Sequence, residues 1–434
     1  MNLFLNLRRG IRSYVAAVFR RLPQPLRYHL RGRWRLPPTD EYLSPKYRRR
    51  IREDLNERIK AGPGPSIWFL PTHTWFSSAF QRPQHMAHAL ADVGCPVVYY
   101  EPWSHGQLII TKDGLRERRF FGVRDLAPRL HLLRCPEDLL QEYMSECTPD
   151  ALIMMWPEQA RYIPAEISSF IVYEMIDDHT LATYADTTWH RTHHEWVRKA
   201  DLVVATADDL LHQLFSERPD TLLLPNGVRL EDWGSTTPCS VPQDMATARH
   251  ATVVVGYYGS IAEWFDWRMW ELAARAKTDW AFVLIGLPYD GNYKKIIERM
   301  KCTANMYYLG AKPYSSLPGY LAHFDVATIP FILNRITHAC SPLKLFEYMA
   351  AGKPIVASPM REILKYKSVF FADTPEKYVS QLEEALGKKN NPEYRRVLKQ
   401  EAEANTWRSR GETLRQAIEF VRRRQNNIPR RHTG

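Results

Sequence analysis

No run of 18 or more apolar residues occurs in these 434 residues, so the sequence offers no helix that would span a bilayer. A secretory leader is not expected either: Arg interrupts the first stretch throughout, and no small-residue cleavage site follows it. Cysteine is scarce. Cys95, Cys135, Cys147, Cys239, Cys302 and Cys340 form no CxxC pair and no metal-ligand spacing. That excludes a disulfide-stapled scaffold or a cysteine metal centre, and fits reduced thiols in the cytoplasm. A repeat of solenoid period is also missing. Acid is missing locally: no Asp or Glu precedes Asp40.

That local deficit explains the net charge of +11. Residues 1–60 hold 16 Lys and Arg against five acids, and the last fifteen residues add five Arg. The body between is slightly acidic, which argues against a nucleic-acid-binding surface and leaves the basicity at the two ends. Within residues 1–24, Phe4, Leu7, Ile11, Tyr14, Val15, Val18 and Leu22 fall at helical spacing, accompanied by Arg8, Arg9, Arg12, Arg20 and Arg21. A basic amphipathic N-terminal helix of this kind suits an anionic membrane surface, each basic residue contributing about 1 kcal/mol. The same stripe could pack on the protein body, and a basic arm for nucleic acid is the third reading.

Apolar residues make up 45% of the chain and aromatics 12%, enough for two cores of roughly 150–200 residues each. The expected division is a basic extension over 1–60, a first α/β domain over 61–233 and a linker over 234–250 rich in Ser, Thr, Pro and Ala. A second α/β domain over 251–390 and a C-terminal helix with a basic tail over 391–434 complete it. Strand–helix alternation begins at Ser66–Leu70 and continues through 97–100, 130–134, 151–156, 169–176 and 201–206. It resumes with TVVVGYYGS and WAFVLIG in the second half. Parallel α/β sheets keep their sites at the carboxyl ends of strands.

The most informative stretch is His338–Ser358, HACSPLKLFEYMAAGKPIVAS. Ser341 before Pro342 reads as a helix entry, with Ser as cap and Pro at the first helical position. Gly352 and Pro354 end the helix before a short strand. Lys344 and Glu347, three apart, share one helix face. Free amides, a Ser and a Lys at a helix N-terminus suit a diphosphate, and a carboxylate one turn further in can accept two sugar hydroxyls. An ordinary surface Glu–Lys pair has the same spacing.

The wording SPLKLFEYMAAGKPIVAS resembles the donor-binding segment of glycosyltransferases with two Rossmann-like domains facing a cleft, the GT-B fold, near glycosyltransferase family 4. The S-P-x-K variant is typical of teichuronic acid and other cell-surface polysaccharide transferases. The resemblance implies that Glu347 holds the donor ribose and that Ser341, Leu343 and Lys344 hold the diphosphate. A second Glu usual in the family, eight positions earlier, is Ala339 here. Three further blocks follow the family's order: QRPQH with Arg82, Gln84 and His85 as acceptor-side candidates, PNGV at Asn226-Gly227, and YYGSIAEWFD with Gly259 and Ser260 at the first turn of the donor domain. The Arg and Lys usual after that turn are absent, leaving Lys344 as the main cation, with Arg268 or Lys312 as a second. Tyr314 falls beside the nucleotide base in the resembled fold; an ordinary helix-entry aromatic would read the same.

At the carboxyl end of the 169–176 strand stand Asp177, Asp178 and His179, candidates for catalysis at the acceptor side. One Asp as a helix cap is the plain alternative. The implied function is transfer of a sugar from a nucleotide diphosphate sugar to a hydroxyl acceptor, a lipid-linked or cell-surface glycan intermediate. No metal and no cofactor are expected, and the enzyme would sit on the inner face of the cytoplasmic membrane. An epimerase on the same fold and a non-catalytic nucleotide-sugar-binding or scaffold protein remain as rivals. Resemblance favours retention of anomeric configuration, whereas an Asp base at 177 or 178 would favour inversion.

Overall fold

The computed structural model describes residues 44–77, 80–102, 108–110, 116–118, 122–178, 180, 185–233, 240–289, 291, 293–301 and 303–427. The 1–24 stripe, His179, residues 234–239 of the expected linker and the 428–434 tail lie outside the described residues.

The first sheet contains β1 (Ile67–Phe69), β2 (Val97–Pro102), β5 (Gly122–Ala127), β6 (Leu130–Cys135), β7 (Ala151–Met154), β8 (Phe170–Met175), β9 (Leu202–Ala205) and β10 (Leu222–Leu223); a separate hairpin joins β3 (Leu108–Ile110) to β4 (Arg116–Arg118). Its order is β10-β9-β8-β7-β1-β2-β6-β5, parallel except for β5 at one edge. The second sheet runs β11 (Val253–Tyr258), β12 (Trp280–Ile285), β13 (Met306–Tyr308), β14 (Val326–Ile329), β15 (Ile355–Ala357) and β16 (Val369–Phe371). Its order, β13-β12-β11-β14-β15-β16, is parallel throughout. Both sheets reverse direction beside their first strand, the doubly wound arrangement whose crevice lies at that reversal.

Strand alternation divides the first domain into two cores. Trp68 and Leu70 pack on one face, Ile67 and Phe69 on the other, because successive side chains of a strand point to opposite faces. The second face is covered by the Arg82–Asp92 helix and by Trp407, Leu414 and Ile418 of the last helix, Trp407–Asn427, so the C-terminus crosses back onto the first domain.

One sequence expectation is corrected here. The single C-terminal helix expected within 391–434 is two helices, Pro392–Ala404 and Trp407–Asn427. They are broken where Val228 N–H donates to the Asn405 carbonyl at 2.9 Å and Trp407 N–H to the Val228 carbonyl at 2.9 Å. Both crossings between the domains therefore run side by side. Among the described residues no helix is long and apolar enough to cross a membrane.

Candidate functional site

Gly259 directly follows β11, at the point where the second sheet reverses. Its φ of +138° suits glycine, and a Cβ there would lie 2.8 Å from Cε of Lys344. Gly286, after β12, has φ +152°, and a Cβ there would lie 1.8 Å from the Gly259 carbonyl oxygen. Two bare backbones thus touch, and the Lys344 side chain lies against the first of them.

Lys344 occupies the first turn of the Leu343–Ala350 helix. Pro342, not Ser341, is the cap residue, and no side chain caps this N-terminus. Ser341 is instead held by the other domain: its Oγ accepts from Asn226 N–H at 3.3 Å and its carbonyl from Asn226 Nδ2 at 2.6 Å. The Leu343 side chain packs against the first-domain core. Among the described residues Lys344 makes no ion pair or hydrogen bond. Its Nζ lies 5.3 Å from the Tyr257 ring centre and 5.1 Å from that of Phe331. Burial holds its pKa below the ordinary lysine value.

One turn deeper, Glu347 is 3% exposed. Tyr258 donates to its Oε2 at 2.7 Å and Tyr314 to its Oε1 at 2.9 Å. Burial pushes the carboxyl up to about 7, against the pull of those two hydroxyls and of Lys344. Both tyrosines stay protonated, since burial and then the Glu347 charge raise them well above their usual value. Trp233 closes the group, its Nε1–H donating to the Tyr314 hydroxyl at 3.2 Å and its ring stacking on Tyr258.

Tyr314 also joins the domains: its ring stacks on Phe80 at 5.2 Å and meets His85 edge-on at 5.2 Å. Beyond it opens a cavity of about 1010 Å³, whose wall includes Thr74, Trp75, Phe80, His85, Lys312 and Trp407. Its aromatic wall and polar rim can hold a flat or hydroxylated ligand. Lys312 faces Asp244 at 2.5 Å, and Arg268 is spent on Asp266, so neither joins Lys344. The Ser260 carbonyl accepts from the Tyr257 hydroxyl at 2.7 Å.

On the first domain, Arg82 and Gln84 turn inward. Arg82 pairs with the buried Glu174 at 3.2 Å, while Gln84 closes a capping box with Gln81 and donates to the Thr74 carbonyl. His85 stacks on Trp407, and burial lowers its pKa to about 3, so it is neutral. Asp178 accepts from Gln213 Nε2 at 3.1 Å and pairs with Arg335 of the second domain at 2.9 Å. It fastens the domains, aided by Arg361, whose Nη1 reaches Asp209 at 2.6 Å. Asp177 is different. It follows β8 and is exposed, yet the protein around it takes away part of its hydration. That desolvation, and then the adjacent Asp178 charge, push its carboxyl up to about 7. Its charge also acts on the Cys340 thiol, across the cleft and close to the Lys344 helix tip.

Sequence reasoning missed Tyr258 and Trp233, the neighbours of Glu347 and Tyr314, because aromatics in or after an apolar run read as core filling. It also passed over Phe80 and Arg335, which bear no local signal. Ala339 is fully buried and packs against the first-domain core.

Residues 252–388 match a family described as glycosyl transferases group 1. A putative teichuronic acid biosynthesis glycosyltransferase of Bacillus subtilis, TuaH, is 24% identical over 220 residues, 49% of this chain and 55% of that protein. The chain thus spans about half the length of that relative. Sucrose-phosphate synthase from Thermosynechococcus elongatus superposes with a TM-score of 0.60 at 14% identity, over 83% of this chain and 100% of its own. Anabaena HepE in complex with UDP-glucose gives 0.58 at 13%, over 82% and 100%. At those identities the likeness is one of fold. The family's match thus lies over the Gly259 turn and the Lys344 helix, and the likeness to these structures extends the fold of two Rossmann-like domains, the GT-B fold, to both halves of the chain.

Proposed function

We propose that this chain transfers a sugar from a nucleotide diphosphate sugar to a hydroxyl acceptor. Lys344 carries the reading: a desolvated ammonium at an uncapped helix N-terminus, without an ion-pair partner among the described residues. A cation so placed is costly until an anion completes it, and a diphosphate supplies that anion. As the bond from the sugar C1 to the phosphate oxygen breaks, charge grows on the departing diphosphate, facing the helix-tip amides and Lys344. The acceptor oxygen bonds to C1 and gives up its proton. Asp177, its carboxyl raised towards neutrality, would take it. Transfer with that base inverts the anomeric centre, whereas loss of the proton to the departing phosphate retains it, so product stereochemistry separates the two.

Glu347 would hold the ribose hydroxyls, with the base in the aromatic cavity beyond Tyr314. The Tyr314 hydroxyl now occupies the carboxylate oxygen a ribose would use. Tyr314→Phe is therefore expected to tighten nucleoside diphosphate binding by up to about tenfold, since one competing charge-assisted hydrogen bond is gone. Weaker binding in calorimetry would instead make that hydroxyl a ligand contact.

The kinship with a teichuronic acid enzyme supports a cell-surface glycan or its lipid-linked intermediate as acceptor. Residues 1–24 would then keep the enzyme at an anionic cytoplasmic membrane face. A second reading, a nucleotide-sugar-binding protein that transfers nothing, is favoured by Ala339; hydrolysis of the donor in the absence of acceptor would refute it.

The direct test is thermal melting against a panel of nucleoside diphosphates. A ligand at a hundred times its Kd stabilises the fold by about 2.7 kcal/mol, a clear rise in Tm. No shift with any of them would refute the donor site.

A further inference from the structure

The tip of the Leu343–Ala350 helix is held in place from the other domain, by buried side chains. Arg82 donates from Nη2 to Glu174 Oε1 at 3.2 Å and from Nε to Oε2 at 3.3 Å, a two-pronged pair inside the first domain. Its remaining prong, Nη1, donates to Asn226 Oδ1 at 3.1 Å. Asn226 passes the bond on: its Nδ2 donates to the Ser341 carbonyl at 2.6 Å and its backbone N–H to Ser341 Oγ at 3.3 Å. All four residues are buried. Ser341 lies three residues before Lys344, and Lys344 rests on Gly259 with no room for a Cβ between them.

A buried guanidinium–carboxylate pair is seldom more stabilising than an apolar pair of the same volume, so its retention calls for another advantage. Geometry supplies one here. The fork of Arg82 orients a single amide, and that amide has both its oxygen and its nitrogen engaged. Each donor in the row polarises the next in the same sense, from the cation towards Ser341. Lys at 82 could hold Glu174 but could not also hold Asn226 in a fixed plane.

We propose that Arg82 is a positioning residue for the leaving-group end of the site. With Glu174 balancing its charge, it fixes Asn226, and Asn226 fixes the Ser341–Lys344 tip against the Gly259 turn. The inference rests on the diphosphate reading of that tip. Arg82 and Glu174 belong to the first domain and Ser341 to the second, so the anion site is complete only while the domains are together. Capture of the diphosphate and closure of the cleft then become one event.

The test compares binding of uridine and guanosine mono- and diphosphates by calorimetry, together with kcat once a donor is identified. The proteins are the wild-type full chain, Arg82→Lys, and the double variant Arg82→Met with Glu174→Leu, which removes both charges at similar volume and so keeps a folded protein for the test. The expected result is a loss of about tenfold in diphosphate affinity, the scale of one charge-assisted contact, with monophosphate affinity within about twofold of wild type. A purely structural role would weaken both ligands alike or change neither, and either result overturns the inference. A wild-type protein that binds no nucleotide, or does not prefer diphosphate over monophosphate, refutes the donor-site reading and this inference with it. Wild-type preference that survives unchanged in both variants refutes the inference alone.

Discussion

Lys344→Ala lowers the affinity for nucleoside diphosphates by roughly 30- to 150-fold while leaving the protein as stable as before or slightly more so. The binding loss follows from the site's construction. A charge-assisted contact out of bulk water is worth about 2–3 kcal/mol, and no second cation stands by to replace it. Lys312 faces Asp244, and Arg268 is engaged by Asp266. The stability gain follows from the same facts. Lys344 is stripped of much of its hydration, and its neighbours are two aromatic faces rather than a carboxylate partner. Removing it breaks no direct ion pair, and Glu347, which loses only a more distant opposite charge, keeps both tyrosine hydroxyls, so the usual penalty for breaking a buried pair does not arise. A residue that costs stability and confers binding is the pattern expected of a functional site. Calorimetry with the diphosphate that stabilises the wild type measures the first effect, and melting without ligand the second. Equal affinities in the two proteins would remove Lys344 from the site; a large fall in Tm would make it a structural residue.

How much of this site can be read from the sequence depends on how local its causes are. The Leu343–Ala350 helix is legible because its punctuation is local: Pro342 at the entry and Gly352 with Pro354 at the exit. The Gly259 turn is legible for the same reason, although its partner Gly286 looks like any glycine after a strand until the two backbones are brought together. The role of Ser341 is not legible. Serine before proline suggests a cap, and the structure gives that serine to Asn226, 115 residues away. Likewise the last two helices read as one, since apolar spacing continues through Asn405 and Thr406. These are capping residue types, and Thr406 Oγ1 does accept from Ser409 N–H at 3.2 Å, but pairing with Val228 from the other crossing fixes the break. The doubly wound strand order is equally non-local. Sequence gives the strands and their apolar faces, while neighbours such as β1 and β7 lie more than eighty residues apart.

Arg82 and Asp178 fail as readable ligands for a related reason. A charged side chain at the carboxyl end of a parallel sheet is either open to the cleft or tied across it, and residue type does not distinguish these. Glu174 draws Arg82 inward, and Arg335 engages Asp178. Asp177, one residue earlier, is exposed where Asp178 is buried. A single step along the chain decides between a fastening and a candidate base.

Glu347→Gln separates stability from binding by pH. Glutamine keeps the shape and both hydrogen bonds, accepting from one tyrosine and donating to the other, but it cannot ionise. The native carboxyl titrates at about 7 when folded, against an ordinary value of 4.5. The folded state therefore binds the proton more tightly than the unfolded state does. The stability this gives is fully present below pH 4.5, declines as pH rises between the two values, and is lost above pH 7. Over the whole span the change is on the order of 3 kcal/mol. Asp177, whose carboxyl is also raised, acts in the same direction but is exposed to solvent, so its share is smaller, and it remains in the variant. Relative to wild type, Glu347→Gln should thus have nearly the same Tm at pH 4.5 and a clearly higher one at pH 8. Its nucleotide affinity should fall at pH 8, because only the ionised carboxylate accepts two ribose hydroxyls at once. Melting curves across pH 4.5–8.5, with and without the stabilising diphosphate, read both effects. A constant difference between the two proteins at every pH would mean that Glu347 titrates in its ordinary range. Unchanged binding at pH 8 would place the ribose elsewhere.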